Sequence, residues 1–244
     1  MSARRRKVSP LARIRPFWLP ISLVAAIVVA ALGVTATWPG FETERIVIRG
    51  NHRVSQSEIL SRAHVAFPRS IWLQNAGAIA RRIEAIPYVG RVWIHRVPPS
   101  SIQITITERQ PFAVLRSPPE SVVVDHALRV LEPATGSDPQ TLFIVRSGLV
   151  LVPGAFVTAR EAITLRDAYD AMAARRIAPV ALRLDRFGGL VVRLHSGLEL
   201  LLGEGELSQK LSLVDAILAQ VVREPRRVAA IDVRAPGTPV VVYR

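Results

Sequence analysis

The chain contains no cysteine, which excludes disulfide bonds, thiol nucleophiles and thiolate metal sites. Aromatic residues make up only 6% of it. The formal net charge is +13, yet a nucleic-acid binder concentrates its cations on one face among aromatic rings, and so low an aromatic content argues against that class. Arginine outnumbers lysine thirty to two, an excess that reads as genome composition rather than as a phosphate-binding device. Catalytic patterns are also missing. The five histidines, His52, His64, His95, His126 and His195, never form the helical i, i+4 pair around a glutamate that a zinc hydrolase shows. Ser147-Gly148 and Ser196-Gly197 lack the preceding glycine of a nucleophile elbow. Gly203-Glu204-Gly205 is too short for a phosphate loop or a dinucleotide fingerprint and reads as a join between strand and helix. No enzyme, cofactor or metal site is expected.

Charge is absent in one place above all. Pro16 to Phe41 is a run of 26 residues without a charged side chain, preceded by Arg4, Arg5, Arg6, Lys7, Arg13 and Arg15. At 1.5 Å per residue such a helix covers a hydrocarbon core about 30 Å thick. Cations stay on the cytoplasmic side, and Trp18 and Trp38 stand where interfacial aromatics belong, so the N-terminus is expected inside and everything after Phe41 outside. A cleaved secretory signal is the alternative, with Val34-Thr35-Ala36 as a peptidase-like site; the apolar run exceeds the ~7–15 residues usual for such signals, which favours a retained anchor. Either way the remainder is exported.

The exported part alternates clearly. Ile46 and Ile48 mark a strand over 44–49 ended by Gly50-Asn51, and Ser55 with Glu58 forms a capping-box pattern that opens a helix to about His64. Ile79, Ile83 and Ile86 stripe a second helix from about Asn75, stopped by Pro87. Two strands follow, 89–97 and 101–108, around Pro98-Pro99, giving the order β-α-α-β-β. Beyond them, 112–115 and 121–125 read as strands around Ser117-Pro118-Pro119, and 132–139 as a loop. Thr158 and Glu161 form a second capping-box pattern before a helix carrying Leu165, Ala168 and Met172. A meander of three leucine-rich strands comes next, with two-residue hairpins expected at Gly188-Gly189 and Ser196-Gly197. A helix over about 207–222 and two short strands, 228–233 and 240–243, complete the chain.

These residues carry a resemblance. Ile46 to Ser55 with Glu58-Ile59-Leu60 resembles the opening of a POTRA domain, and Val92 to Pro99 followed by Glu108-Arg109-Gln110-Pro111-Phe112-Ala113 is similar to the end of the POTRA domain in the FtsQ/DivIB family of bacterial cell-division proteins. The 203–211 segment and Ile231-Asp232-Val233-Arg234 resemble that family's second, or β, domain. The resemblance implies an α+β protein in four parts: a cytoplasmic tail (1–16), a transmembrane helix (17–38), a POTRA domain (41–111) and a β domain (112–244). It implies a divisome scaffold in the inner membrane at the septum, with its bulk in the periplasm and FtsB/FtsL-type proteins as partners. The backbone of Val240, Val241, Val242 and Tyr243 would then pair with a partner strand, and Arg234 would meet the partner's acidic residues. Ala235 departs from the family pattern, where some relatives carry an aromatic. An interior position for the last strand remains open at this stage, as does a POTRA-bearing adaptor of a transport or outer-membrane assembly system.

Overall fold

A computed structural model describes residues 15–136, 140–146, 148–221 and 228–244 of the chain. Arg4 to Arg13 of the basic tail, part of the expected 132–139 loop (137–139), Ser147 and Val222 lie outside the described residues. The described residues divide into two compact units, the first running to Ile83 and taking in Arg91–Thr107, the second made of Glu84–Gly90 with the described part of Glu108–Arg244.

In the first unit, helix α1 runs over Arg15–Ala36. Its large apolar side chains, Ile21, Leu23, Val24, Ile27, Val29, Leu32 and Val34 among them, are exposed all round the helix. Among the described residues no helix is long and apolar enough to cross a membrane. The apolar part of α1 whose side chains are described, Trp18 and residues 20–36, falls just short of the ~20 residues that a full hydrocarbon core requires. After a 3-10 turn at Pro39–Phe41 come β1 (Arg45–Arg49), α2 (Gln56–Ala63), α3 (Ala76–Glu84), β2 (Val89–Val97) and β3 (Ser101–Glu108). The Ser55 hydroxyl accepts from Glu58 N–H and so starts α2 as the sequence pattern requires. The strands order as β1-β3-β2, with β1 parallel to β3 and Ile46 and Ile48 opposite Ile102 and Ile104. Ile102, Ile104 and Ile106 are buried, as are Ile59, Ile79 and Ile83 of the helices, so both helices close one face of the sheet.

Among the described residues the second unit is a nine-stranded sheet with two helices. Its elements are β4 (Ala113–Ser117), β5 (Glu120–Val124), β6 (Val130–Pro133), β7 (Thr141–Ile144), α4 (Arg160–Ala173), β8 (Pro179–Leu184), β9 (Leu190–Leu194), β10 (Glu199–Gly203), α5 (Leu207–Val221), β11 (Val228–Asp232) and β12 (Val240–Tyr243). The spatial order is β12-β11-β10-β9-β8-β7-β4-β5-β6. β7 pairs parallel with β8, and β10 parallel with β11, so α4 and α5 are both crossover helices. Both crossovers leave strands that point the same way and step in the same direction across the sheet. Right-handed crossing therefore puts both helices on one face. On that face Leu115, Phe143, Leu182, Val192, Leu200 and Ile231 form one core with Leu165, Met172, Leu211 and Val214.

Several sequence expectations change here. The 132–139 stretch is not loop throughout, because β6 takes up Val130–Pro133, and β7 was not foreseen; both strands are only four residues long, too short to display a period. α4 starts from Ala159, which makes no side-chain cap, so Thr158 lies one residue outside the capping position. Glu161 instead accepts from Arg146 N–H at 3.1 Å. The two hairpins are three-residue loops: Asp185 N–H donates to Gly189 O, Leu194 N–H to Leu198 O, and Gly188 and Gly197 hold the left-handed positions (φ 93° and 78°).

Arg109, from the Glu-Arg-x-Pro-x-Ala run, anchors a buried polar cluster in the second unit. Its guanidinium bonds Asp125 Oδ2 at 2.6 Å and Val89 O at 3.2 Å, while Asp125 Oδ1 accepts from Arg129 N–H at 2.8 Å. Arg109 and Arg129 both stack on Phe156 at 5.7 Å. Burial lowers the Arg129 pKa from its ordinary value, and the neighbouring Arg109 adds to the effect.

Candidate functional site: the β12 edge

Among the described residues no strand pairs beyond β12, which is bonded to the sheet only through β11. The antiparallel register sets Asp232 opposite Val240, Ile231 opposite Val241, Ala230 opposite Val242 and Val228 opposite Tyr243. Strand alternation follows from this register. Val241, opposite the fully buried Ile231, packs against the core, whereas Val240 and Val242 stand on the helix-free face, 53% and 47% exposed. The Val241 side chain and one backbone edge thus join the strand to the sheet, and its other edge lies between two exposed valines. Such an edge can accept an extended chain through main-chain hydrogen bonds.

Arg234 lies at the β11–β12 turn, at the Val240 end of the strand. Tyr243 is at the opposite end, so the five residues singled out from sequence form a line along an edge rather than a pocket. The Arg234 guanidinium is held by its own Asp232, with Nη2 at 2.6 Å from Oδ2 and Nε at 3.0 Å from both oxygens. This pairing holds the Asp232 carboxyl below its ordinary pKa and raises that of Arg234. The Arg234 stem lies on Gly203: a Cβ there would come within 3.0 Å of Arg234 Cγ, and Gly203 has φ +65°, so glycine is needed both for the close approach and for the backbone conformation. The Gly203-Glu204-Gly205 segment does join β10 to α5. Lys210, 4% exposed, fastens it by donating to Leu202 O at 2.6 Å and to Glu204 O.

The structure adds residues here that the sequence reading did not single out. The β8–β9 loop reaches the same end of the sheet, where Asp185 accepts from Phe187 and Gly189 N–H, bonds that lower its pKa. The loop carries Phe187, 72% exposed, with the Arg186 guanidinium 4.6 Å from its ring. A large exposed aromatic at a loop tip was the only signal available in the sequence. At the other end, the Arg244 guanidinium donates to Gly197 O at 3.4 Å and ties the chain across to the β9–β10 turn. Among the described residues no three His, Cys, Asp or Glu side chains gather to hold a metal ion. The edge offers backbone hydrogen bonds, an apolar stripe and cations at either end, which together suit peptide binding.

A family model described as POTRA domain, FtsQ-type, matches residues 41–109, and one described as Cell division protein FtsQ/DivIB, C-terminal, matches residues 113–234. A cell division protein FtsQ from Bradyrhizobium diazoefficiens is 26% identical over 202 residues, covering 83% of this chain and 57% of its own length. One from Myxococcus fulvus is 29% identical over 198 residues, covering 78% of this chain and 67% of its own, and one from Agrobacterium fabrum is 26% identical over 205 residues, covering 82% and 61%. The chain thus spans about three fifths of the length of these relatives.

Proposed function

Because the chain belongs to the FtsQ/DivIB family of cell-division proteins, we propose that it is a non-enzymatic scaffold of the division machinery, anchored once in the inner membrane and recruiting partners outside the cytoplasm. In this reading residues 1–16 are cytoplasmic and residues 17–38 form the anchor. Residues 41–111 and 112–244 are then POTRA and β domains in the periplasm at the septum. The uninterrupted apolar run and the outward-facing side chains of α1 support the anchor. A second domain that matches the division family leaves no particular support for a transport-system adaptor.

The observation that carries the mechanism is the position of β12 at the edge of a nine-stranded sheet. An extended segment of an FtsB-type partner, itself coupled to FtsL, adds as a tenth strand along Val240–Tyr243. Arg234, already oriented by Asp232, reaches the partner's acidic residues from the turn. Confinement of both proteins to one membrane raises their effective concentration, so a short interface suffices.

The test is an affinity measurement between the full chain in nanodiscs and the partner's extracytoplasmic segment. Consecutive strand residues direct their N–H groups to opposite edges, so of Val241→Pro and Val242→Pro one breaks the β11 ladder and the other only the outer edge. The outer-edge variant is expected to keep the wild-type melting temperature and to bind about tenfold more weakly, the equivalent of ~1.4 kcal/mol. Unchanged affinity for both variants would refute strand addition, and unchanged affinity for Arg234→Glu would remove the arginine from the interface.

A further inference from the structure

The connection between α2 and α3 is a braced platform with apolar residues directed outward. Gln74, 6% exposed, donates to Ala66 O at 2.7 Å and to the Thr43 hydroxyl at 3.3 Å, which closes the loop at its base. Ser70 and Ile71 are buried, and the Arg96 guanidinium donates to Ile71 O at 2.8 Å and Gln74 O at 3.0 Å. The side chains left outside by this bracing are Phe67, Trp72 and Leu73, which are 57%, 45% and 43% exposed, together with Arg69. A soluble loop held this firmly has no need to expose three large apolar groups within seven residues.

Its attachment tells where it sits. Thr43 N–H and hydroxyl both reach Arg69 O, at 2.9 and 2.8 Å, Ile71 N–H donates to Phe41 O at 2.8 Å, and the Phe41 and Trp72 rings meet edge-on at 6.2 Å. Phe41 follows Ala36, the last residue of α1, by five residues, a tether of at most ~18 Å. We propose that the Phe67–Leu73 loop is a membrane foot that seats in the phospholipid headgroup layer beside α1, an inference that rests on reading α1 as the anchor. Trp72, Phe67 and Leu73 enter the interfacial zone, where amphipathic rings are favoured, and Arg69 reaches lipid phosphate. Glu42, bridged to Ser70, is the one acidic residue in the two paired segments, so their charge is balanced and apolar insertion dominates. The foot fixes the height of the first unit above the bilayer by two points instead of one.

The full chain has four tryptophans, Trp18, Trp38, Trp72 and Trp93, which permits a direct test. Variants retaining only Trp38, only Trp72 or only Trp93, the others replaced by phenylalanine, are reconstituted into phosphatidylethanolamine–phosphatidylglycerol vesicles with acyl-chain bromine. Trp38 and Trp72 are expected to lose roughly half their fluorescence, as interfacial rings do, with Trp93 unaffected. Phe67→Ser with Leu73→Ser in the Trp72-only protein should reduce that quenching at least ~2-fold at an unchanged melting temperature. Quenching of Trp38 without Trp72 overturns the foot and leaves the anchor standing; quenching of neither overturns the anchor as well. Trp72 untouched by brominated lipid but shielded by an added extended apolar peptide would overturn the foot in favour of a protein occupant, with the adjoining groove of about 420 Å³ between Ile46, Leu60, Val65 and Phe67 as its seat.

Discussion

Removing the Asp125 carboxylate should expose how the Glu-Arg-x-Pro-x-Ala run works. Asp125 is 5% exposed and serves two donors, the Arg109 guanidinium at 2.6 Å and the Arg129 amide at 2.8 Å. Asp125→Ala leaves two arginines facing one another over Phe156 without the carboxylate that bonds them both, Glu84 remaining as an acidic neighbour of Arg129, and breaking a buried pair from one side costs about 3–5 kcal/mol. For a unit of this size that corresponds to a fall in melting temperature of roughly 6–20 °C. Calorimetry on the full chain resolves the second unit's transition, and hydrogen exchange at Arg109 and Arg129 localises the loss. The decisive arm is a double-mutant cycle with Arg109→Met. If the damage comes from an orphaned cation, Asp125→Ala with Arg109→Met is more stable than the sum of the single effects predicts, by at least ~1 kcal/mol. A loss below about 1 kcal/mol for Asp125→Ala, or strict additivity in the cycle, would refute the reasoning.

Gly203→Ala forces a left-handed residue to carry a side chain against Arg234, so a loss of about 1–3 kcal/mol is expected together with weaker partner binding; a variant stable as wild type would contradict the close approach. Lys210→Met keeps the buried stem but strands the carbonyls of Leu202 and Glu204, and should lower stability by about 1–3 kcal/mol in chemical denaturation. The folded pKa of Asp185 is depressed, so its stabilisation is present above the unfolded value near ~3.9 and fades as pH falls through the lower folded value. The stability gap between wild type and Asp185→Asn should therefore stay level from pH 7 to about 5 and narrow only below ~4, and a gap closing near neutrality would assign it to another group.

Much of this was legible because the pattern is local. The isoleucine pairs of β1, the alternation of β2 and β3, and the Ser55 cap are each set within a few residues. The leucine meander over β8 to β10 is equally regular. The second capping pattern, Thr158 with Glu161, misled because the same residue types at the same spacing were shifted by one position, with Ala159 taking the cap. β6 and β7 were missed because four residues do not display a period; β6 pairs with the neighbouring β5, while β7 is a strand only through β4 and β8, each more than 20 residues away in the chain. The β8–β9 loop could not be joined to the site from sequence because the approach of its Asp185 to Arg234 arises only when β8, β9, β10 and β11 lie side by side.

The sequence by itself determined the division of the chain into an apolar run, a β-α-α-β-β unit and a leucine-rich remainder, since hydrophobic periodicity and its interruption are properties of neighbouring residues. It also sufficed to identify the family and to single out Arg234 and Val240–Tyr243. Only the tertiary structure decided that the last strand lies at an edge, that the Arg234 stem rests on Gly203, and that both crossover helices cover a single face. Those outcomes depend on strand order and crossover handedness, which couple residues far apart in the chain and leave no periodic trace in it.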